Sequence, residues 1–129
     1  MNEQILYTLA LLVDNEAGVL SQVSRLFSRK GYNIESLAVG QTHHPEQSRI
    51  TIEVLADSNQ IILLANQLRK MLPVHSVTVL EPEKSLRREL VMIKVKAPTS
   101  EIRNEIIQIA NIFRGQIVDV SVGSLTIAL

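Results

Sequence analysis

Apolar positions along residues 4–80 switch between a period near two and a period near 3.6, and the switches mark the elements. Residues 4–13 (QILYTLALLV) put Ile5, Tyr7, Leu9, Leu11 and Val13 on one face and Leu6, Thr8, Ala10 and Leu12 on the other. Both faces are mostly apolar, which suits a central strand more than an edge and hints that the sheet face opposite the helices is partly covered. Asp14, Asn15 and Gly18 supply a turn and a helix start. Val19, Leu20, Val23, Leu26 and Phe27 then form one stripe of an amphipathic helix over 19–30, with Arg29 and Lys30 in its last turn and Gly31 after it. Residues 32–40 (YNIESLAVG) read as a second strand and QTHHPEQS as a loop. Residues 49–56 are a third strand, with Ile50, Ile52, Val54 and Ala56 opposed to Arg49, Thr51 and Glu53. Asp57 or Ser58 caps a helix over 59–72 with Ile61, Leu64, Ala65, Leu68 and Leu72 inside, Pro73 ends it, and 74–80 (VHSVTVL) is a fourth strand.

The order β-α-β-β-α-β is the ferredoxin-like unit, an antiparallel sheet with both helices on one face. It defines a first domain over 1–80, and the charged stretch 81–89 (EPEKSLRRE) reads as a linker. The pattern then restarts. Residues 90–97 are a strand, and Thr99 or Ser100 caps a helix with Glu101 in its first turn. Ile102, Ile106, Ile109, Ala110 and Phe113 lie inside that helix, Gly115 closes it, and 116–122 and 124–129 are strands turning at Gly123-Ser124. Phe27-Ser-Arg-Lys-Gly31 and Phe113-Arg-Gly115 match loosely, since each ends a helix and runs straight into a strand. The expected class is α+β: one ferredoxin-like βαββαβ domain, then a second unit over 90–129 that is incomplete after βαββ. Its uncovered apolar surface predicts truncation or cover by another chain.

Composition narrows the function. The 129 residues include 14 Ile, 17 Leu and 13 Val, enough for a core, and only Tyr7, Phe27, Tyr32 and Phe113 are aromatic. Thirteen cations balance thirteen anions, which argues against a protein held on nucleic acid by clustered Lys and Arg; Arg87-Arg88 is flanked by Glu83 and Glu89. RNA-binding relatives of this topology stack bases on central-strand aromatics, and here those strands offer Tyr7 alone. No cysteine is present, so disulfides, thiolate metal sites and a cysteine nucleophile are excluded. The start MNEQIL lacks the pattern of a signal peptide, and no apolar run approaches ~18 residues, so the expectation is a soluble, cytoplasmic protein without a membrane anchor.

No GxGxxG, Walker A or GxSxG pattern can be assembled. Asp14 and Asp57 sit at helix starts, where capping accounts for them. His43 and His44 share a loop and His75 begins a strand, so no metal site is expected. One segment could bind a small molecule. In Asp14-Asn15-Glu16-Ala17-Gly18-Val19-Leu20, a glycine and a helix N-terminus offer free amides to a carboxylate, and Asn15 can both donate and accept. The alternative is that Asn15 is a cap and Gly18 a turn residue. A second candidate is Gly31-Tyr32-Asn33-Ile34, where the chain enters what a 4-1-3-2 sheet makes an edge strand. With Glu35 as its only charge and no proline, that edge invites pairing with another chain. Two-fold pairing would make an eight-stranded sheet and carry the helix start of one subunit toward Asn33 of the other. Alternatively, Asn33 merely turns the chain.

Val13-Asp-Asn-Glu-Ala-Gly-Val-Leu20 is similar to the glycine loop of ACT domains, which bind amino acids. Leu26-Phe-Ser-Arg-Lys-Gly-Tyr-Asn-Ile-Glu-Ser-Leu37 resembles the regulatory small subunit of acetohydroxyacid (acetolactate) synthase, as do Ser48-Arg-Ile-Thr-Ile52 and Phe113-Arg-Gly-Gln-Ile-Val-Asp-Val120. The resemblance runs collinearly over essentially the whole chain. It implies a non-catalytic subunit that dimerises through its ACT domain. Such a subunit binds and activates a catalytic large subunit and confers feedback inhibition by valine in branched-chain amino acid biosynthesis. It implies an effector site shared by two subunits, with Asn15, Ala17, Gly18, Val19 and Leu20 from one and Asn33 and Ile34 from the other. No cofactor is expected in this chain; thiamine diphosphate, Mg and FAD belong to the catalytic subunit. Family members usually continue for a few dozen residues, completing the second unit. An autonomous amino-acid-sensing module serving another enzyme or regulator is the alternative, against which the Gly31–Leu37 run argues. For an enzyme in its own right, no acid, base or nucleophile constellation is visible.

Overall fold

The structure is a computed structural model that describes residues 3–129. The chain separates into two compact units between Leu86 and Arg87. In the first, strand β1 (Ile5–Asp14) leads to helix α1 (Val19–Arg29), the hairpin of β2 (Ile34–Gln41) and β3 (Gln47–Ala56), helix α2 (Ser58–Arg69) and β4 (Val74–Leu80), followed by a 3-10 turn over Pro82–Lys84. The sheet order is β2-β3-β1-β4, every pairing antiparallel, which leaves β2 and β4 as edges. This is the expected ferredoxin-like α+β topology.

The alternation read from the sequence decides what is buried. Leu9, Leu11 and Val13 of β1 and Ile50, Ile52, Val54 and Ala56 of β3 line one sheet face, and Val19, Val23, Leu26, Phe27, Ile61, Leu64, Ala65 and Leu68 of the helices close over it. The opposite face of β1 (Leu6, Thr8, Ala10, Leu12) is half-buried. On the edge strand, Leu37 and Val39 pair with Ile52 and Ile50 and so lie on the core side, yet both are exposed.

Local chemistry ends the helices. Asp57 accepts from the amides of Asn59 and Gln60, while the Gln60 side chain accepts from the Asp57 amide, a closed capping box that starts α2 at Ser58. Gly31, at φ +79°, ends α1 in the left-handed region where glycine is unstrained. Two expected interior positions are corrected. Leu72 is 96% exposed, because α2 ends at Arg69 and the chain turns before Leu72 can continue the helical stripe. Leu20 is also exposed, since it lies at the margin of the stripe set by Val19, Val23 and Leu26.

The second unit holds β5 (Met92–Lys96), α3 (Ser100–Ile112), β6 (Gln116–Ser121) and β7 (Ser124–Ala128), in sheet order β5-β7-β6. This is the βαββ order expected for these residues. Thr99 caps α3 by accepting from the Ile102 amide. The left-handed residue after α3 is Arg114, at φ +60°, not Gly115. Gly115 serves close packing instead: a Cβ there would come within 2.9 Å of Ile127 Cγ2 and Leu129 Cδ2. The inner stripe expected for α3 is not inside. Only Ala110 is buried on this helix, and Phe113 is 69% exposed, because a single helix on three strands has no second helix to enclose it. Ile93, Val95, Ile106, Ile109, Phe113 and Ile127 border an apolar cavity of about 370 Å³.

Candidate functional site

β1 hands over to α1 through Asn15-Glu16-Ala17-Gly18, and neighbouring strands hold this junction from two sides. The Asp14 amide donates to the Pro73 carbonyl at 2.9 Å, and the Asp14 carboxylate lies 2.5 Å from His75 Nε2. Asp14 therefore ties the end of β1 to the start of β4 and does not cap α1, as its position in the sequence suggested. Asn15 makes three bonds toward the β2–β3 loop. Its amide donates to the Glu46 carbonyl at 2.8 Å, its Nδ2 donates to the Pro45 carbonyl at 2.9 Å, and its Oδ1 accepts from Ser48 Oγ at 2.9 Å. The alternative of Asn15 as a helix cap is thereby removed.

Gly18 is the N-cap residue of α1, at φ +87°, a conformation that an L side chain adopts only with strain. It has no side chain with which to cap. The first bond of the helix runs from the Gln22 amide to the Gly18 carbonyl at 3.0 Å, and the Val19 amide has only a long contact of 3.4 Å with the Glu16 carbonyl. The amides of Leu20 and Ser21 thus reach the surface without an acceptor inside the helix, and the dipole adds partial positive charge there. Beyond its chain neighbours, no atom lies within 4 Å of the place a Gly18 Cβ would take, so the space beside Gly18 is open. An uncapped first turn with an open approach can accept a small anion such as a carboxylate.

Asn33 and Ile34 lie elsewhere in the same chain. Asn33 Nδ2 donates to Glu35 Oε1 at 3.3 Å, and Ile34 is half-buried against the core. Beside them, burial and the charge of Asp57 raise the Tyr32 phenol above its ordinary value. Ile34 pairs with Val54, whereas Asp14 pairs with Gln47. Seven strand residues therefore separate the two places, roughly 23 Å at ~3.3 Å per residue. One chain brings Asn15, Ala17, Gly18, Val19 and Leu20 together and leaves Asn33 and Ile34 at the far end of the sheet.

Ser48 was not singled out by sequence reasoning. Its signal was present: on the face Ser48-Ile50-Ile52-Val54-Ala56 it is the one polar residue, at a position where alternation demands an apolar one. Among the described residues, no three His, Asp or Glu side chains gather as metal ligands, and no helix is long and apolar enough to cross a membrane.

Comparison with known proteins agrees with this architecture. Residues 9–76 match the family described as AHAS small subunit-like ACT domain, and residues 88–129 match the small subunit of acetolactate synthase. The acetolactate synthase small subunit of Mycolicibacterium smegmatis is 45% identical over 121 residues, covering 94% of this chain and 71% of that protein. A probable acetolactate synthase small subunit of Methanothermobacter thermautotrophicus is 44% identical over 121 residues, covering 94% and 72%. The crystal structure of the small subunit from Thermotoga maritima superposes with a TM-score of 0.83 at 36% identity, covering 97% of this chain and 78% of that one. With its fold and both of its units matched in this way, the chain belongs to the acetolactate synthase small subunit family.

Proposed function

We propose that this chain is a non-catalytic regulatory subunit that dimerises through its ACT domain, binds valine between the two copies, and transmits that binding to a catalytic large subunit. The observation that carries the reading is the uncapped α1 start at Gly18, opening at one end of a sheet whose β2 edge is free and apolar. Antiparallel two-fold pairing of β2 with its copy reverses strand direction. The start of one β2, with Asn33 and Ile34, then comes to the end of the sheet where the partner holds Asn15 and Gly18. The valine carboxylate meets the amides at Val19 and Leu20, Asn15 and Asn33 hold its polar groups, and Ala17, Ile34 and neighbouring apolar groups enclose the isopropyl group.

Consequences follow from the chemistry. One methylene in an apolar pocket discriminates by only ~1–3 kcal/mol, so leucine and isoleucine compete with valine. A ligand held by both copies tightens the dimer by mass action. Coupling to the catalytic subunit, which carries the thiamine diphosphate, Mg and FAD, is of order 1–3 kcal/mol, and the free small subunit activates that partner. Residues 88–129 match the small subunit as well as the ACT domain does, which favours this reading over a free-standing amino-acid sensor. The test is calorimetric titration with valine, leucine and isoleucine beside mass measurement of the complex. Gly18→Asp abolishes valine binding, whereas Gly18→Asn, similar in size and equally able to adopt positive φ, weakens it less because it adds no charge. Normal valine binding by Gly18→Asp, or a monomer at micromolar concentration, contradicts the proposal.

A further inference from the structure

We infer that Ser48 is a positioning residue for the effector site, acting through Asn15; the inference rests on the valine site proposed above. Ser48 is 6% exposed and stands on the core face of β3, paired with Val13 on one side and Gln41 on the other. Core packing gives no reason for a hydroxyl at that register. The hydroxyl is there for one partner: Ser48 Oγ donates to Asn15 Oδ1 at 2.9 Å. The other end of the Asn15 amide is read by the Pro45 carbonyl, which can only accept, at 2.9 Å from Nδ2.

Together these bonds select one flip of the amide and hold it. An asparagine side chain has two N–H donors and an oxygen with two lone pairs. Pro45 takes one donor and Ser48 takes one lone pair. The second Nδ2 proton remains for a ligand, in a direction set by the protein before the ligand arrives. Asn15 is exposed, so without Ser48 its amide would rotate in water and pay the ordering entropy on binding. Ser48 thus contributes to affinity without touching the effector.

Double-mutant titration with valine, using the full chain, tests this. Ser48→Ala lowers valine affinity about tenfold, the value of one oriented hydrogen bond. Ser48→Thr, which keeps the hydroxyl, restores it to near wild type. Asn15→Ala weakens binding at least as much as Ser48→Ala, and adding Ser48→Ala to Asn15→Ala changes nothing further. Unchanged affinity in Ser48→Ala, or additive losses in the double variant, overturns the role. A second readout needs no effector. The Asn15 side-chain amide proton that donates to the Pro45 carbonyl is expected to exchange more slowly with solvent in wild type and Ser48→Thr than in Ser48→Ala. If the wild type bound no branched amino acid, the valine site would fall, and the exchange rates would still decide whether Ser48 holds Asn15; equal rates in wild type and Ser48→Ala would refute it.

Discussion

Phe27 and Phe113 sit in similar stretches of sequence, each near the end of a helix and shortly before basic residues and a glycine, yet one is 1% exposed and the other 69%. The difference lies in what surrounds the helix. In the first unit α1 and α2 share one face of a four-stranded sheet, and the apolar stripe of each helix meets the sheet and its neighbour. In the second, α3 stands alone on three strands, and its isoleucines border an open apolar cavity. A periodic stripe therefore specifies which face of a helix is able to be buried; the neighbouring layer decides whether it is.

The largest effect expected from this contrast is on stability. Phe27→Ala costs about 3–5 kcal/mol, the range for an enclosed aromatic, whereas Phe113→Ala costs less than about 1 kcal/mol in the chain as described. Chemical denaturation followed separately for the two units measures both, and equal losses would break the comparison. A large loss at Phe113 alone would show that something covers α3 in solution.

Caps provide a finer contrast. Asp57 receives two backbone amides within a reciprocal box, while Thr99 receives one at 3.2 Å. Asp57→Ala is expected to cost about 1–2 kcal/mol and Thr99→Ala about half as much, read from the same denaturation curves.

The smallest effect is with pH. The Tyr32 phenol is raised in the folded state by burial and by the charge of Asp57. Its protonated form is thus favoured by folding. The stability this gives is whole below the unfolded value near 10 and is lost as pH climbs from there through the folded value. Tyr32→Phe lacks the group, so its denaturation midpoint falls less than that of wild type between pH 9 and pH 11.

Periodicity and punctuation made the order of elements legible in both units, because alternation, stripes and glycine after helices are local signals. The failures share a cause. Leu72 and the α3 stripe were placed inside by spacing, but burial depends on where a helix stops and on what packs over it. Asp14 and Asn15 looked like helix caps because they precede a helix; their partners are 30 to 61 positions away, His75 and Ser48 in other strands and Pro45 in the β2–β3 loop. The Gly18 junction was visible as a pattern, and its positive φ at the helix start is a backbone feature that the glycine foreshadowed. The separation of about 23 Å along the sheet between the ends that carry Asn15 and Asn33 could be found only from the strand register.

That distance makes the central claim directly testable. Gly18→Asp damages the loop contribution and Asn33→Ala the edge-strand contribution, and neither homodimer is expected to bind valine measurably. Within a mixed dimer, the Asn33→Ala copy supplies an intact loop and the Gly18→Asp copy an intact Asn33, which rebuilds one complete site. Calorimetry on the remixed variants is therefore predicted to recover valine binding, with one site per mixed dimer. A mixture as silent as its two components, once subunit exchange has been verified by mass, would contradict a site shared between copies.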